Sequence, residues 1–137
     1  MKRQLLLAAG FVAFAAICAP ASANTSCAWG MVRNTYGFVA SGVTSEGVAC
    51  ASTGLIIIAN SSAVTVKVND SCNNGIASSY TGTGTYTLSS DCTGSATVNF
   101  SNGGTGTYKL TVVNGGGGLL LIASIPGVVL SGTAIKT

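Results

Sequence analysis

The chain has 137 residues, of which six are lysine or arginine and three are aspartate or glutamate, giving a formal net charge of +3. It has no histidine, which excludes sites that use imidazole as a base or a metal ligand near neutral pH. The few basic residues form no stripe that could neutralise phosphates, so nucleic acid is not an expected partner.

The first 23 residues have the pattern of a secretory signal peptide. Lys2 and Arg3 precede the apolar run LLLAAGFVAFAAICA, and the small residues of ASA provide a cleavage site between Ala23 and Asn24. The run is short for a membrane span, and no later segment is long enough to be one. We therefore expect cleavage to leave a single domain, residues 24–137, that is secreted, periplasmic or at the cell surface. Loss of two basic residues would lower the net charge from +3 to about +1.

Four cysteines remain after this cleavage: Cys27, Cys50, Cys72 and Cys92. An even number of cysteines in an oxidising compartment predicts two disulfides. A zinc site is the rival interpretation, but it would need CxxC pairs or histidines, and the sequence has neither. No metal or other cofactor is expected.

Alternation of apolar and polar residues predicts about eight strands. In SAVTVKVND, for example, Val64, Val66 and Val68 point one way while Thr65 and Lys67 point the other. Short sequences rich in Asn, Ser, Gly and Pro separate the strands, which indicates an antiparallel meander. We predict an all-β fold, a small up-and-down β-barrel, with a two-sheet β-sandwich as the alternative. In chain order the predicted strands are TYGFVASGV, GLIIIA, SAVTVKVND, YTGTGTYTL, SATVNFS, TGTYKLTVV, LLLIASI and VVLSGTAI.

The hairpin that follows GLIIIA predicts how the cysteines pair. If its turn is centred on Ser61, residues whose numbers sum to 122 lie opposite each other, and the apolar faces of both strands agree. Cys50 and Cys72 fit that register and lie within disulfide reach. Cys27 and Cys92 are then left to pair, which would fasten the N-terminal segment to the rim of the barrel.

Several short motifs resemble those of a known group of proteins. GTYTLSSDCTGSATVNF, preceded by TYGFVASG and followed by PGVVLSGTA, is similar to small, secreted, uncharacterised bacterial β-barrel proteins. Their pattern is a Gly-Thr-Tyr strand, an Asp-Cys-Thr-Gly turn and a Pro-Gly hairpin that ends in Gly-Thr-Ala. The resemblance covers most of the mature chain and implies a barrel similar to those of allene oxide cyclase and dirigent proteins. It implies no activity.

Groups able to carry acid–base chemistry are few. The three carboxylates, Glu46, Asp70 and Asp91, are scattered. Asp91 is expected to cap a turn, and Asp70 lies beside one. A serine nucleophile would have no base. The sequence therefore indicates no catalytic site and does not favour an enzyme.

Six aromatic residues on the predicted inward faces are the candidates for a site. They either fill the core or line a cavity for one small apolar ligand, with tyrosine hydroxyls orienting it. Gly82, Gly84 and Gly106 on the same faces are expected to leave room there. The six aromatic residues are Tyr36, Phe38, Tyr80, Tyr86, Phe100 and Tyr108.

The sequence thus predicts a non-catalytic surface, interaction or structural protein. A binding module for a small apolar ligand in the barrel interior is the alternative. Two strands place large apolar residues outward, namely Leu55 and Ile57 on one and one face of residues 119–122 on the other. This predicts a homo-oligomer or a surface for a protein partner, unless the N-terminal segment covers these residues.

Overall fold

The computed structural model describes residues 26–72 and 75–137. The predicted signal peptide, residues 1–23, lies outside the described residues, and so does its cleavage position. The described part of the chain contains no helix that is long and apolar enough to cross a membrane.

Eight strands form a closed antiparallel barrel in which each strand pairs with the next, and the last pairs with the first. A four-residue helix, α1 (Trp29–Val32), precedes the barrel, and a 3-10 turn (Asn114–Gly116) joins the sixth and seventh strands. The closure confirms the predicted up-and-down barrel and excludes the two-sheet sandwich. The strands are β1 (Thr35–Val43), β2 (Ala49–Ile58), β3 (Ala63–Cys72), β4 (Ala77–Leu88), β5 (Thr93–Phe100), β6 (Thr105–Val113), β7 (Gly118–Ala123) and β8 (Val129–Lys136).

The barrel forms because alternate residues of its strands are apolar and face inward. On β3, Val64, Val66 and Val68 are buried, whereas Lys67 and Asn69 are exposed. Each buried valine removes apolar surface from water, which stabilises the fold by about 1.5 kcal/mol or more. The outward residues keep their side chains in contact with solvent, while their backbone groups bond to the neighbouring strands.

The register predicted for the β2–β3 hairpin is present in the structure. In the β2–β3 hairpin, Cys50 lies opposite Cys72, and the two form a disulfide. In the β7–β8 hairpin, Leu119 lies opposite Ala134, and both side chains are buried. Leu120 is consequently turned outward. A one-residue slip in either hairpin would reverse the two faces of the strand, so the register fixes what the barrel encloses.

Strand β2 is longer than the predicted strand GLIIIA, because it begins at Ala49. Residues 49–53 are small, so their alternation is weak in hydropathy. They nevertheless pair with β1, where Ala49 lies opposite Val43, and with β3 from Cys50 onward. Pairing with neighbours on both sides, rather than side-chain hydrophobicity, makes this stretch a strand.

One end of the barrel is closed by the residues that precede β1. The Cys27–Cys92 disulfide and a 3.0 Å hydrogen bond, donated by the Cys27 amide to the Ser90 carbonyl, hold this segment against the β4–β5 turn. Val32 of α1 is only 2% exposed and belongs to the core. We call residues 27–33 the plug, and this end of the barrel the closed end.

Cys92 occupies a backbone position that favours glycine. Its φ of 70° lies in the left-handed region, which is unfavourable for an L-residue by about 1 kcal/mol. The Cys92 amide closes the turn by donating to the Ser89 carbonyl at 3.0 Å. Asp91 caps the same turn, as predicted, by accepting hydrogen bonds from the amide (3.0 Å) and hydroxyl (2.7 Å) of Thr93. A cysteine stands here because glycine could not hold the plug.

The outside of the barrel has two unlike faces. The outward positions of β7, β8, β1 and β2 carry no charged residue and include large, strongly exposed apolar side chains. The outward positions of β3, β4, β5 and β6 are mostly threonine, serine and asparagine with two lysines, and we call this the polar face. The apolar face is defined by Val39, Val43, Leu120, Ile122, Val129 and Ile135.

The plug does not cover the apolar face. It lies across the closed end, and it leaves Leu120 and Ile122 about half exposed, at 47% and 52%. Leu55 and Ile57 also face outward on β2, as predicted, and are partly buried.

Candidate functional site

The interior of the barrel contains a cavity of about 300 Å³. At the closed end its lining side chains, such as Ile58, Tyr86 and Leu119, are buried. At the other end the lining includes Val128 and Leu130, which are only half-buried. The cavity therefore opens at the end formed by the β1–β2, β3–β4, β5–β6 and β7–β8 connections, which we call the open end.

Most of the predicted aromatic residues do line this cavity, but Tyr36 does not. Tyr36 is fully buried, and its hydroxyl donates a 2.8 Å hydrogen bond to the Gly116 carbonyl. It ties β1 to the 3-10 turn at the closed end, which corrects the placement expected from the sequence. The aromatic residues that line the cavity are Phe38, Tyr80, Tyr86, Phe100 and Tyr108.

The tyrosine hydroxyls donate hydrogen bonds to different partners. Tyr86 lines the inner part of the cavity, yet its hydroxyl donates to the Asn60 carbonyl at 2.8 Å, in the β2–β3 turn. Burial raises the pKa of Tyr86, and also that of Tyr108, above the ordinary phenol value. Both side chains are therefore neutral near pH 7, and the cavity wall they form is uncharged.

One carboxylate lies at the open end. Asp70 follows Val64, Val66 and Val68 in the alternation of β3, so it faces inward, and it is the one charged residue lining the cavity in the described part of the chain. The Tyr80 hydroxyl donates to Asp70 Oδ2 at 2.7 Å. Burial, followed by this hydrogen bond and the charge of Asp70, raises the pKa of Tyr80 well above its ordinary range.

Sequence reasoning placed Asp70 beside a turn and missed its position in the site. The sequence does indicate this position, because the two-residue alternation that turns the valines of β3 inward also turns residue 70 inward. An inward carboxylate at a strand end was overlooked because it breaks the apolar pattern.

Aromatic rings on β4, β5 and β6 lie at one side of the open end, next to the strand that carries this carboxylate. Tyr80 and Phe100 meet edge to face, with ring centroids 5.4 Å apart and an interplanar angle of 89°. Tyr108 lies close enough to Tyr80 to contribute to its raised pKa. The Tyr108 ring lies back over Gly106, where an added Cβ would come 2.5 Å from its hydroxyl oxygen.

Sequence analysis predicts that the inward glycines leave room inside the barrel, and the structure shows that neighbouring atoms fill that space. A Cβ at Gly82 would lie 2.6 Å from Val98, 2.8 Å from Phe100 and 2.9 Å from Val66. The space above Gly106 is filled by Tyr108, and a Cβ at Gly84 would meet the Thr97 carbonyl of the next strand. The glycines therefore let rings and strands pack closely inside a small barrel.

Residues 26–72 and 75–137 contain no group of three histidine, cysteine, aspartate or glutamate side chains placed to hold a metal ion. The two described disulfides use Cys27, Cys50, Cys72 and Cys92, in the predicted pairing. Chemically, the site is an apolar cavity with a single carboxylate and several aromatic side chains at its open end.

Comparison with known proteins supports the fold and leaves the function open. No protein-family model and no curated protein matches the chain. Among solved structures, it is similar to a barrel from the de novo design of transmembrane β-barrels, with a TM-score of 0.61 at 13% identity over 77% of this chain and 96% of that one. It is also similar to a redesigned β-barrel bound to DFHBI, with a TM-score of 0.54 at 17% identity over 80% and 98% of the two chains. A de novo fluorescence-activating β-barrel gives 0.51 at 15% identity over 76% and 92%.

Proposed function

We propose that this protein binds a small, largely apolar molecule inside its barrel. The observation that carries the proposal is the cavity of about 300 Å³, which is lined mainly by aliphatic and aromatic side chains. Its volume is at the lower limit of known ligand pockets, which span about 300–1,000 Å³. Since a water molecule takes about 30 Å³ in the liquid, the cavity has room for roughly ten non-hydrogen atoms.

The shape of the barrel supports this function. The plug closes one end, so a ligand enters and leaves through the open end, and its apolar body is withdrawn from water at the closed end. One of the designed barrels with this fold is bound to DFHBI, which supports the view that such a barrel can hold a small molecule. The preformed cavity would require little ordering of side chains when the ligand binds, which favours affinity.

Binding is a better interpretation than turnover because of the chemistry of the lining. Its titratable groups are one carboxylate and three phenols, one buried and two partly buried, whose pKa values are raised. The three phenols with raised pKa values stay protonated near neutral pH, and the chain has no histidine to supply a base there.

We further propose that the protein acts outside the cytoplasm, in the periplasm, at the cell surface or in the medium. Its two disulfides favour an oxidising compartment. The signal-peptide pattern of residues 1–23 supports the same compartment. Two bridges in one small domain also favour survival where no chaperone acts on the unfolded chain.

Methyl NMR with naphthalene as the probe tests the binding function, since its ten carbons match the room available. Methyl resonances of Ile56, Val66 and Val98 inside the barrel should shift in a saturable manner, while those of Val39 and Val129 on the outside stay in place. Shifts confined to the outward methyls, or no shift at all, would overturn the proposal.

A pair of leucine substitutions on one strand provides the matched control. Ala96 lines the cavity, whereas the next residue, Thr97, faces outward. Ala96→Leu adds three carbons to a space for roughly ten atoms and should weaken naphthalene binding about tenfold or more. Thr97→Leu should leave it unchanged. Circular dichroism establishes that both variants keep the barrel.

A second candidate function is self-association through the apolar face, and the exposure of that face favours it. Val129 is 71% exposed, Ile135 68% and Val39 60%. Four strands about 4.8 Å apart, each about eight residues at about 3.4 Å, present roughly 500 Å² before side-chain relief is counted. A standard interface buries about 800 Å² of accessible surface on each partner, so this face approaches the required size.

The partner that fits this face is a second copy of the chain. An uncharged apolar sheet matches another of its own kind in a symmetric dimer, in which the two faces pack about 10 Å apart. A lipid surface would be favoured by lysine or arginine beside the apolar residues, and the outward positions of these four strands have neither.

Sedimentation velocity tests the dimer. The wild type should associate as its concentration rises, and Leu120→Lys on the apolar face should make it monomeric. Thr83→Lys on the polar face is the matched control and should leave association unchanged. A wild type that stays monomeric at high concentration would remove the second candidate, and binding to lipid vesicles or to another protein instead would assign the face to that partner.

A further inference from the structure

In the described part of the chain, the open end of the barrel carries two carboxylates. Asp70 lies in the lining, and Glu46 is exposed in the β1–β2 connection at the same end. Arg33 of the plug and Lys136 at the end of β8 both lie at the opposite, closed end. The described residues at the open end include no lysine or arginine. A mouth of this kind attracts cations and repels anions.

The carboxylate at this mouth has spare capacity to accept hydrogen bonds. An ionised carboxylate offers about four acceptor positions, and the Tyr80 hydroxyl fills one at 2.7 Å. Water serves the others while the cavity is unliganded. A ligand that displaces this water without donating a hydrogen bond would leave a half-buried charge poorly solvated, and this weakens binding.

The rings beside Asp70 suit the same kind of partner. Tyr80, Phe100 and Tyr108 all line the cavity where their strands meet the open end. The faces of aromatic rings attract an ammonium group within about 6 Å, and more strongly where water is excluded. A carboxylate and aromatic rings around one opening together favour a cation with an apolar body.

We propose that the ligand of this barrel is a compact apolar molecule that ends in a protonated amine. Its apolar body lies among the aliphatic residues of the inner cavity, and its ammonium group donates to Asp70 between the aromatic rings at the mouth. This inference rests on the proposed binding function and specifies the class of ligand.

Three probes that share a phenyl ring and differ in their polar end test this inference. They are 2-phenylethylamine, 2-phenylethanol and phenylacetate, with roughly ten non-hydrogen atoms each, which suits the cavity volume. Calorimetry or methyl NMR at neutral pH should show the amine binding about tenfold more tightly than the alcohol, a difference of about 1.4 kcal/mol. Phenylacetate should bind most weakly.

Substitution of the carboxylate assigns the preference to a residue. Asp70→Asn should reduce the advantage of the amine over the alcohol to about twofold or less and should leave the affinity for the alcohol nearly unchanged. Asp91→Asn removes the same charge at the closed end and should keep the full preference. The comparison of probes on the wild type needs no variant, so it stands even where Asp70→Asn does not fold.

The outcomes separate this inference from the binding function. If naphthalene binds but the three probes bind equally, or the alcohol binds more tightly than the amine, the amine inference is overturned and the binding function stands. The same holds if Asp70→Asn keeps the full preference. If neither naphthalene nor any of the three probes binds inside the barrel, the binding function is overturned and the amine inference with it.

Discussion

At the scale of single residues, all four tyrosines of the chain share one property. Burial is the main cause that raises the pKa of Tyr36, Tyr80, Tyr86 and Tyr108 above the ordinary phenol value near 10. The folded state therefore holds these protons more tightly than the unfolded state does. The stability that results is fully present below about pH 10 and is lost as pH rises through the folded pKa values.

Ultraviolet titration of phenolate checks this prediction. The folded protein should show little phenolate at about pH 10, whereas the chain unfolded in urea should be about half ionised there. Denaturation midpoints should fall as pH rises above that value. Four tyrosines that titrate normally in the folded protein would contradict the burial seen here.

Asp91 has the opposite pKa shift from the tyrosines, so its effect on stability appears at acid pH. The hydroxyl and amide of Thr93 donate to its carboxylate and lower its pKa, although the side chain is fully exposed. Its contribution to stability is present above the ordinary aspartate pKa and is lost as pH falls through the lowered value. Asp91→Asn should therefore flatten the acid side of the stability profile measured by urea denaturation. An unchanged profile would show that the Asx turn does not distinguish the two charge states.

Gly82 is the residue at which the close packing of the interior is most easily tested. An alanine Cβ would approach Val98, Phe100 and Val66 within 2.6–2.9 Å, so Gly82→Ala should destabilise the barrel by about 1–3 kcal/mol. Gly104→Ala, where the nearest atom is 3.4 Å away, is the control and should stay within about 0.5 kcal/mol of the wild type. Urea denaturation measures both. Equal effects at the two positions would mean that the interior adjusts to the extra methyl group.

At the scale of elements, the two disulfides constrain different lengths of chain. Cys27–Cys92 spans 65 residues and Cys50–Cys72 spans 22. The chain-entropy relation gives about 4 kcal/mol for the first and about 3 kcal/mol for the second. Replacing Cys27 and Cys92 by serine (the plug variant) should therefore cost more stability than the same change at Cys50 and Cys72 (the hairpin variant).

Denaturation of the two double-serine variants measures this order. The plug variant should also bind naphthalene more weakly, because the closed end would no longer be fixed. A larger loss in the hairpin variant would show that the bridge acts through the native hairpin and not through the unfolded chain.

The β2–β3 hairpin shows what local sequence can determine about an element. Its two strands and turn are contiguous, so the alternation of Val64, Val66 and Val68 and the position of the turn were enough to predict which residues face each other. The position of β2's first residue, Ala49, could not be predicted in that way. It depends on pairing with β1 and β3, and the small residues there carry little hydrophobic signal.

At the scale of the whole molecule, stability depends on closure. β8 pairs with β1 across almost the full length of the chain, with Tyr36 opposite Lys136. Deleting residues 125–137 should leave the edges of β1 and β7 unpaired, and the protein should aggregate or lose its near-ultraviolet circular dichroism. Deletion of Thr137 alone removes two terminal hydrogen bonds to Thr35 and should leave the barrel folded. A monomeric, structured product of the longer deletion would show that the open sheet is stable by itself.

The sequence by itself determined the all-β class, the inward and outward residues of the strands with clear alternation, such as β3, and the pairing of the cysteines. These depend on a two-residue period and on hairpin registers, which are properties of neighbouring residues. The resemblance to secreted barrels similar to allene oxide cyclase and dirigent proteins stays a prediction.

Only the tertiary structure decided the features that bear most on function. It placed the Tyr36 hydroxyl on the Gly116 carbonyl at the closed end, packed side chains against Gly82 and Gly106, and brought Asp70 to the Tyr80 hydroxyl. It also brought the apolar outward residues of β7, β8, β1 and β2 onto one side. The apolar side depends on the pairing of β8 with β1, strands distant in sequence, which closes the barrel. The other features depend on how side chains pack inside it, which the alternation of apolar and polar residues does not specify.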